Sequence, residues 1–505
     1  MIKKSLMVRL LLLLCLITGP VFAQESKIGH LPAPAGVREF VTHHSLDIGK
    51  EPLNYTAIAG ETIVLDRDGS PEASLFSITY IKDGVDRLEA RPITFLFNGG
   101  PGSSSTWLHL GAFGPRRLVL PNDPVIPGPA PYQLVDNTET LLRYSDLVFV
   151  DPIGTGYSHA MGKNKDRDYW GVDQDAAVLS KYIRAYLTAN KRWNSPKYLA
   201  GESYGTIRAS VLVRDLELKP LDGFNFNGVI LLSAALDPRT FMPGGPGNEL
   251  PYVTNLPTYA ATAFYHHALP EPQANLEAFL RQVEDFASSE YLAALFKGDT
   301  LEADEQEAIV KKLHQYTGLS TDYLKHTHLK IDQARFRKEL LRDRGLVLGV
   351  YDTRYAGKDP DEAGEQVQFD PFLFSIAGPF VASINSYLTT ELNVRMERPY
   401  VVFSQEAAMG WKRAGNGNSV FAGFLNTMPY LKQAAETNRD FCIFVASGLY
   451  DLTTAFYGTQ YIFDQSGIDT ERLTLKTYPG GHMMYTVLAS LRQLSSDIGA
   501  FMKLR

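Results

Sequence analysis

Cysteine is almost missing from this chain: two occur in 505 residues, Cys15 and Cys442. Cys15 falls in an N-terminal stretch that reads as a cleaved leader, so the mature chain keeps Cys442 alone and forms no internal disulfide. Stability must then come from core burial. Cys442 lies in the apolar run Phe441-Cys442-Ile443-Phe444-Val445, the setting of a buried structural thiol and not of a reactive one. A basic surplus is also lacking, because 49 Lys and Arg against 56 Asp and Glu leave a net charge of -7. That balance speaks against nucleic acid as a partner. No internal repeat or low-complexity tract interrupts the chain. No histidine–carboxylate spacing suggests a metal site; His326 and His328, two apart, would not share a helix face. With 45% hydrophobic and 21% charged residues the composition suits a large core and excludes disorder.

Residues 1–23 have the grammar of an export signal. Lys3, Lys4 and Arg9 precede the apolar block Leu10 to Ile17, and Val21-Phe22-Ala23 suits cleavage after Ala23. The block is shorter than the ~20 apolar residues that span a bilayer. The expectation is an exported protein, periplasmic or secreted, with no stable membrane insertion once the leader is removed.

The rest of the chain alternates apolar strands with helix-length segments. Thr62 to Leu65 and Leu75 to Tyr80 flank a turn and predict an antiparallel ribbon. Buried strands follow at Ile93 to Phe97, Asp146 to Val150, Lys197 to Ala200 and Gly228 to Leu232. This pattern predicts an α/β fold with a mostly parallel central sheet and helices on both faces, so ligand chemistry belongs at the strand C-terminal ends. From Asp237 to Pro399 helical periodicity replaces the strand signal, as in Leu276, Phe279, Leu280, Val283 and Phe286. We read residues 24–236 as the first part of the core, 237–399 as a mainly helical insertion capping the active edge, and 400–505 as the second part. Tyr252, Tyr259, Phe264, Tyr265 and His266 are candidates for a pocket beneath the cap or for ordinary helix packing. Pro243 to Gly247 reads as a hinge or loop. Strands are expected again at Tyr400 to Phe403, Phe441 to Val445 and Leu473 to Tyr478, with a final helix over Val487 to Met502.

Chemistry concentrates at Gly201-Glu202-Ser203-Tyr204-Gly205, a G-x-S-x-G pattern between a strand and a helix. A serine held there is exposed at the sheet edge, with the amide of Tyr204 near a helix N-terminus where negative charge is favoured. A serine hydroxyl needs a base, and the base needs an orienting group. Asp451 follows the strand Phe441 to Val445, and His482 follows the strand Leu473 to Tyr478 through Gly480-Gly481. Of the 11 histidines, His482 alone has this strand-then-glycine setting late in the chain; His109 and His159 follow earlier glycine loops and are candidates for lining the cleft.

Asn98-Gly99-Gly100-Pro101-Gly102-Ser103-Ser104, the Ser203 pentapeptide, Ser447-Gly448 with Asp451, and Gly480-Gly481-His482-Met483 together resemble the hallmark segments of the serine carboxypeptidase family of α/β-hydrolases. The resemblance runs in order across most of the mature chain, as a bacterial-type member without the usual disulfides. It implies Ser203 as nucleophile, His482 as general base then acid, and Asp451 as its orienting carboxylate. The amides of Gly100 and Tyr204 would form the oxyanion hole, and Asn98, Glu202 and the amide of Gly99 would bind the substrate's C-terminal carboxylate. No metal or other cofactor is needed. Three departures stand out. Phe97 and Ser103 occupy places where the family carries Trp and Cys. The acid of Val150-Asp151-Pro152 directly precedes the proline. An acidic residue before Gly114-Pro115 is replaced by Ala112 or Phe113.

The expected activity is therefore a serine carboxypeptidase acting on peptides with a free C-terminus through an acyl-enzyme. Glu202 can hold another carboxylate only if the two share a proton, which predicts an acidic preference. An esterase or acyltransferase using the same triad is the alternative, and a non-catalytic binding module on this fold is a third reading.

Overall fold

Ile93–Phe97 and Gly228–Leu232 are buried at every position, as strands must be when helices cover both sides of a parallel sheet. The computed structural model describes residues 37–49, 52–242, 247–412 and 425–503. The expected leader at 1–23 and most of the Pro243 to Gly247 segment lie outside the described residues.

The central sheet has ten strands. Three of them, β1 (Glu39–Asp47), β2 (Pro52–Leu65) and β3 (Pro71–Lys82), form an antiparallel extension. Beyond them lie β4 (Ile93–Phe97), β5 (Asp146–Val150), β6 (Lys197–Glu202), β7 (Gly228–Leu232), β8 (Cys442–Gly448) and β9 (Leu473–Tyr478). The spatial order is β1-β2-β3-β5-β4-β6-β7-β8-β9, with the two-residue strand His159–Ala160 on β3. From β5 to β9 every pairing is parallel.

Alternation divides each strand between two cores. Phe95, Leu199, Leu231 and Val445 face one side, where they meet α1 (Val172–Ala189), α2 (Tyr204–Leu216) and a later helix, Met428–Thr437. Leu96, Ala200, Ile230 and Phe444 face the other, packing with the C-terminal helix Leu488–Lys503 and with Pro371–Thr390. The latter helix is long and apolar enough to cross a membrane, but half of it is buried in the fold and Phe372, Ile376, Phe380 and Ile384 join the sheet-face core. Cys442 is buried and forms no disulfide.

Helices dominate from α3 (Leu250–Tyr265) through α4 (Leu276–Phe286) and α5 (Ala303–Thr317) to α6 (Pro371–Thr390). The first three share their own core, in which Tyr259 stacks on Phe336. Tyr450 and Leu452, which flank Asp451, are buried in that same core. One open alternative is decided here and one expectation fails. Tyr252, Tyr259, Phe264, Tyr265 and His266 pack within the helical segment and line no part of the cavity at Ser203. Tyr400 to Phe403 is extended, as its β-branched residues favour, yet it joins no strand of the central sheet. It bridges two glycine loops instead, pairing Val401 with Gly156 and Phe403 with Ser103.

Candidate active site

The strand β6 delivers Glu202 and Ser203 to the C-terminal edge of the sheet, and the chain turns at once into α2. Ser203 adopts φ 58° and ψ -126°, a conformation costly for a side-chain-bearing residue and common at functional turns. Its amide donates to Leu232 O at 2.9 Å and its carbonyl accepts from Thr206 N at 2.9 Å, so the turn is held from both sides. Tyr204 opens α2, which leaves its N–H without an intrahelical acceptor. The loop after β4 lies directly on this turn: a β-carbon on Gly99 would fall 2.6 Å from Tyr204 N. Gly100 has φ 102°, and it lines a cavity together with Ser203.

The loops after β8 and β9 bring Asp451 and His482 together. His482 Nδ1 and Asp451 Oδ2 are 2.8 Å apart, and both side chains are essentially inaccessible. Asp451 is fixed by three further bonds: Oδ1 accepts from Thr453 N (2.7 Å) and Thr454 N (3.1 Å), and Oδ2 from Thr454 Oγ1 (2.8 Å). The backbone of His482 is clamped too. Its N–H donates to Tyr351 O at 2.5 Å, and its carbonyl accepts from Ser233 Oγ at 2.7 Å. Burial is the largest influence on the imidazole and opposes its protonation; the Asp451 carboxylate and its hydrogen bond, with Glu202, outweigh it and raise the pKa above the ordinary value. Among the described residues Nε2 has no hydrogen-bond partner although it is buried. An orphaned ring nitrogen costs free energy unless something binds there.

Ser203 and His482 line one cavity of about 530 Å³, along with Asn98, Gly99, Gly100 and Glu202. Glu202 is 2% exposed. Its Oε1 accepts from Asn98 Nδ2 at 3.0 Å and its Oε2 from Tyr485 OH at 2.5 Å. Asn98 is itself oriented, because its Oδ1 accepts from Leu108 N (3.0 Å) and its carbonyl from Arg208 Nη1 (2.5 Å). Burial lifts the Glu202 carboxyl to about 7, against the pull of His482, Tyr485 and Asn98. The acid is thus held neutral in slightly acidic water.

The remaining wall is mostly apolar, with Trp107, Leu373, Ala377, Val381, Val402 and Met483. Among the described residues lining it there is no lysine or arginine. A second apolar cavity of about 410 Å³ also touches Ser203, between Tyr204, Ile207, Phe241 and Trp411. Among the described residues no group of three or more His, Cys, Asp and Glu is disposed to hold a metal ion.

All eight residues singled out in the sequence therefore sit at one edge of the sheet. His109 and His159 do not join them. His109 is buried against Tyr80 OH at 2.6 Å, and His159 lies beside Tyr157 O. Ser103 lines the cavity, whereas Phe97 lies in the core beneath. Asp151 reaches back to the first glycine loop and accepts from Ser105 N at 2.9 Å. Sequence reasoning missed Trp107, Tyr351 and Tyr485, each placed by contacts between distant segments. The only signal for Tyr485 was its place three residues after His482.

Residues 66–265 match the family described as serine carboxypeptidase, which bears out the resemblance over that stretch. It contains Asn98, Gly99, Gly100, Glu202, Ser203 and Tyr204, while Asp451 and His482 lie beyond it. Serine carboxypeptidase-like 51 of Arabidopsis thaliana is 31% identical over 157 residues, 30% of this chain and 31% of that protein. The pheromone-processing carboxypeptidase KEX1 of Cryptococcus gattii is 31% identical over 158 residues, 30% of this chain and 22% of that protein. The chain thus matches less than a third of either relative's length. Among solved structures, a prohormone-processing carboxypeptidase from Saccharomyces cerevisiae superposes with a TM-score of 0.51 at 14% identity, covering 91% of both chains. The shared architecture is the α/β-hydrolase fold.

Proposed function

We propose that this protein is a serine-type carboxypeptidase that removes residues from the free C-terminus of peptides through an acyl-enzyme. The observation that carries the reading is Glu202: a buried acid, bonded to Asn98, on the wall of the cavity that also holds Ser203 and His482. With no lysine or arginine among the described lining residues, a substrate carboxylate finds its partner in a protonated Glu202, helped by Asn98 and the amide of Gly99. Burial that keeps this acid neutral up to about 7 supports a preference for acidic solution.

In this reading Ser203 Oγ attacks the carbonyl carbon of the last peptide bond as its proton passes to His482 Nε2. The charge on the carbonyl oxygen is taken by the amides of Gly100 and Tyr204. Collapse breaks the C–N bond, and His482 gives that proton to the departing amine, releasing the C-terminal amino acid. Water then delivers a proton to Nε2, attacks the ester carbonyl, and the proton returns to Ser203 Oγ as the shortened peptide leaves. Asp451 holds the imidazole in the tautomer that leaves Nε2 free to accept. Because the carboxylate end sits by Asn98 and Glu202, the leaving residue occupies the cavity of Trp107, Leu373 and Met483, which suits an apolar side chain. The acyl side faces the second apolar cavity. We place the activity outside the cytoplasm, on the leader grammar of residues 1–23.

The test is a pair of identical peptides, one with a free and one with an amidated C-terminus, followed by mass spectrometry. Stepwise loss from the free form alone is expected, abolished by Ser203→Ala in a folded protein. Equal cleavage of both peptides would remove the role given to Asn98 and Glu202 and leave an esterase or acyltransferase with the same triad.

A further inference from the structure

An acid that grips another carboxylate works only while it holds a proton, so whatever bonds its second oxygen sets its working range. At Glu202 that group is Tyr485, whose hydroxyl donates to Oε2 at 2.5 Å. Tyr485 is 1% exposed and, among the described residues, is absent from the cavity wall that Asn98 and Glu202 form. It therefore acts from behind the acid, out of reach of a substrate. Its place is built into the fold. A β-carbon on Gly111 would fall 2.6 Å from the Tyr485 ring, so the residue just before Ala112 leaves the space the ring fills. Neither Ala112 nor Phe113 has a side chain able to bond Glu202, and Phe113 is packed in the sheet-face core.

We propose that Tyr485 is a positioning residue for chain-end recognition: its hydroxyl fixes the Glu202 carboxyl against Asn98 and, by donating to Oε2, lowers the pH at which Glu202 releases the proton it must share with a substrate carboxylate. The inference rests on the carboxypeptidase reading. A donor to a carboxyl oxygen favours the ionised form, so Tyr485 trades part of the gripping range for a fixed geometry. The charged groups facing Glu202 are His482 after β9 and Asp451 after β8, which act in opposite senses. From α2, Arg208 reaches Asn98 O but is paired with Asp175 at 2.6 Å. From the helical segment the phenol of Tyr351 lies within electrostatic reach of Glu202. The hydroxyl of Tyr485 is thus the one contact that a single-atom change removes without altering charge.

The experiment compares the native protein with Tyr485→Phe on two substrates: a blocked dipeptide with a free C-terminus, and a nitrophenyl ester of the same acyl group, which has no terminal carboxylate. For the dipeptide, the alkaline limb of kcat/KM should move up by roughly half a pH unit or more, with KM raised several-fold below the limb. The ester profile should move much less, since it feels Glu202 only through the charge beside His482, and its rate reports the active fraction of the same preparation, so partial misfolding is corrected for. In a Glu202→Gln background, Tyr485→Phe should shift nothing further. A dipeptide limb that stays or moves down, or an ester profile that shifts in parallel, overturns the inference while the native preference for free over amidated peptides still stands. Loss of that preference in the native protein sinks the carboxypeptidase reading and this inference with it.

Discussion

His482 Nδ1 lies 2.8 Å from Asp451 Oδ2, and the contact decides which ring nitrogen is left to accept a proton. Asp451→Asn should preserve the bonds from Thr453 N and Thr454 N to Oδ1, since a carboxamide oxygen accepts there as well. Its NH₂ would then face Nδ1 and force the proton onto Nε2, the wrong tautomer. A fall in kcat of roughly 10³- to 10⁴-fold is expected with KM little changed. Steady-state kinetics on a protein of unchanged melting temperature checks it; a fall below tenfold would mean that the tautomer is set elsewhere.

The recognition role proposed for Glu202 ties recognition to stability. Its folded-state pKa is raised from 4.5 to about 7 by burial. Below 4.5 the acid is neutral in both folded and unfolded chains. Between 4.5 and 7 only the unfolded chain ionises, so the protein loses stability as pH rises, by ~3 kcal/mol over that window. Glu202→Gln removes this share: the variant should gain melting temperature relative to the native protein at pH 7.5 and lose the advantage near pH 4. Its carboxamide also donates at every pH, so the alkaline fall in kcat/KM for free C-termini should flatten. Parallel melting curves across the range would show that Glu202 is solvated or paired otherwise.

How far the sequence could be read depended on the range of the contacts involved. Ile93 to Phe97 and Gly228 to Leu232 announce buried parallel strands by themselves, because both faces must be apolar. The glycine-framed Ser203 and the strand-then-loop settings of Asp451 and His482 are local too, which is why the edge they share was foreseeable. β1, Glu39–Asp47, escaped notice because its polar, histidine-bearing run carries little apolar alternation. Tyr400 to Phe403 shows the converse: alternation specifies an extended chain but not its partner, and the partner proved to be two glycine loops. Tyr485 meets Glu202 across 283 residues of chain, a contact that no local pattern encodes.

The cavity proposed for the leaving residue makes a specificity prediction. Ala377 on α6 shares its wall with Leu373 and Val381, so a carboxylate introduced there meets the side chain of the departing residue. Ala377→Glu should lower kcat/KM for peptides ending in leucine or phenylalanine by roughly 10- to 100-fold and raise it for those ending in lysine or arginine. A panel of peptides differing only in the last residue gives the answer. An unchanged ranking would place the leaving residue in the other cavity, beside Trp411.

The helical segment also holds the Asp451 and His482 loops, and the hold is testable at Asp352. Leu452 N donates to Val350 O (3.0 Å), Thr353 N to Tyr450 O (3.0 Å) and His482 N to Tyr351 O (2.5 Å), so one short stretch grips both the acid and the base loop. Asp352 adds a side-chain tie, its Oδ2 accepting from Gly481 N at 3.1 Å and from Arg354 Nη2 at 2.6 Å. Arg354 in turn lies over the Tyr450 ring at 5.4 Å. Asp352→Ala frees the His482 loop and leaves the mostly buried Arg354 without its carboxylate, which typically costs ~3–5 kcal/mol for a buried pair. The melting temperature should drop. Well below it, where the protein is folded, kcat should still be reduced roughly tenfold or more because the imidazole no longer sits in register with Ser203. KM should change less than kcat, since Asn98 and Glu202 are untouched. Asp352→Leu combined with Arg354→Met removes the stranded charge and should recover melting temperature without recovering kcat. Recovery of both would make this tie a matter of stability alone; recovery of neither would mean that the lost bond to Gly481 N, and not the stranded Arg354 charge, lowers the melting temperature.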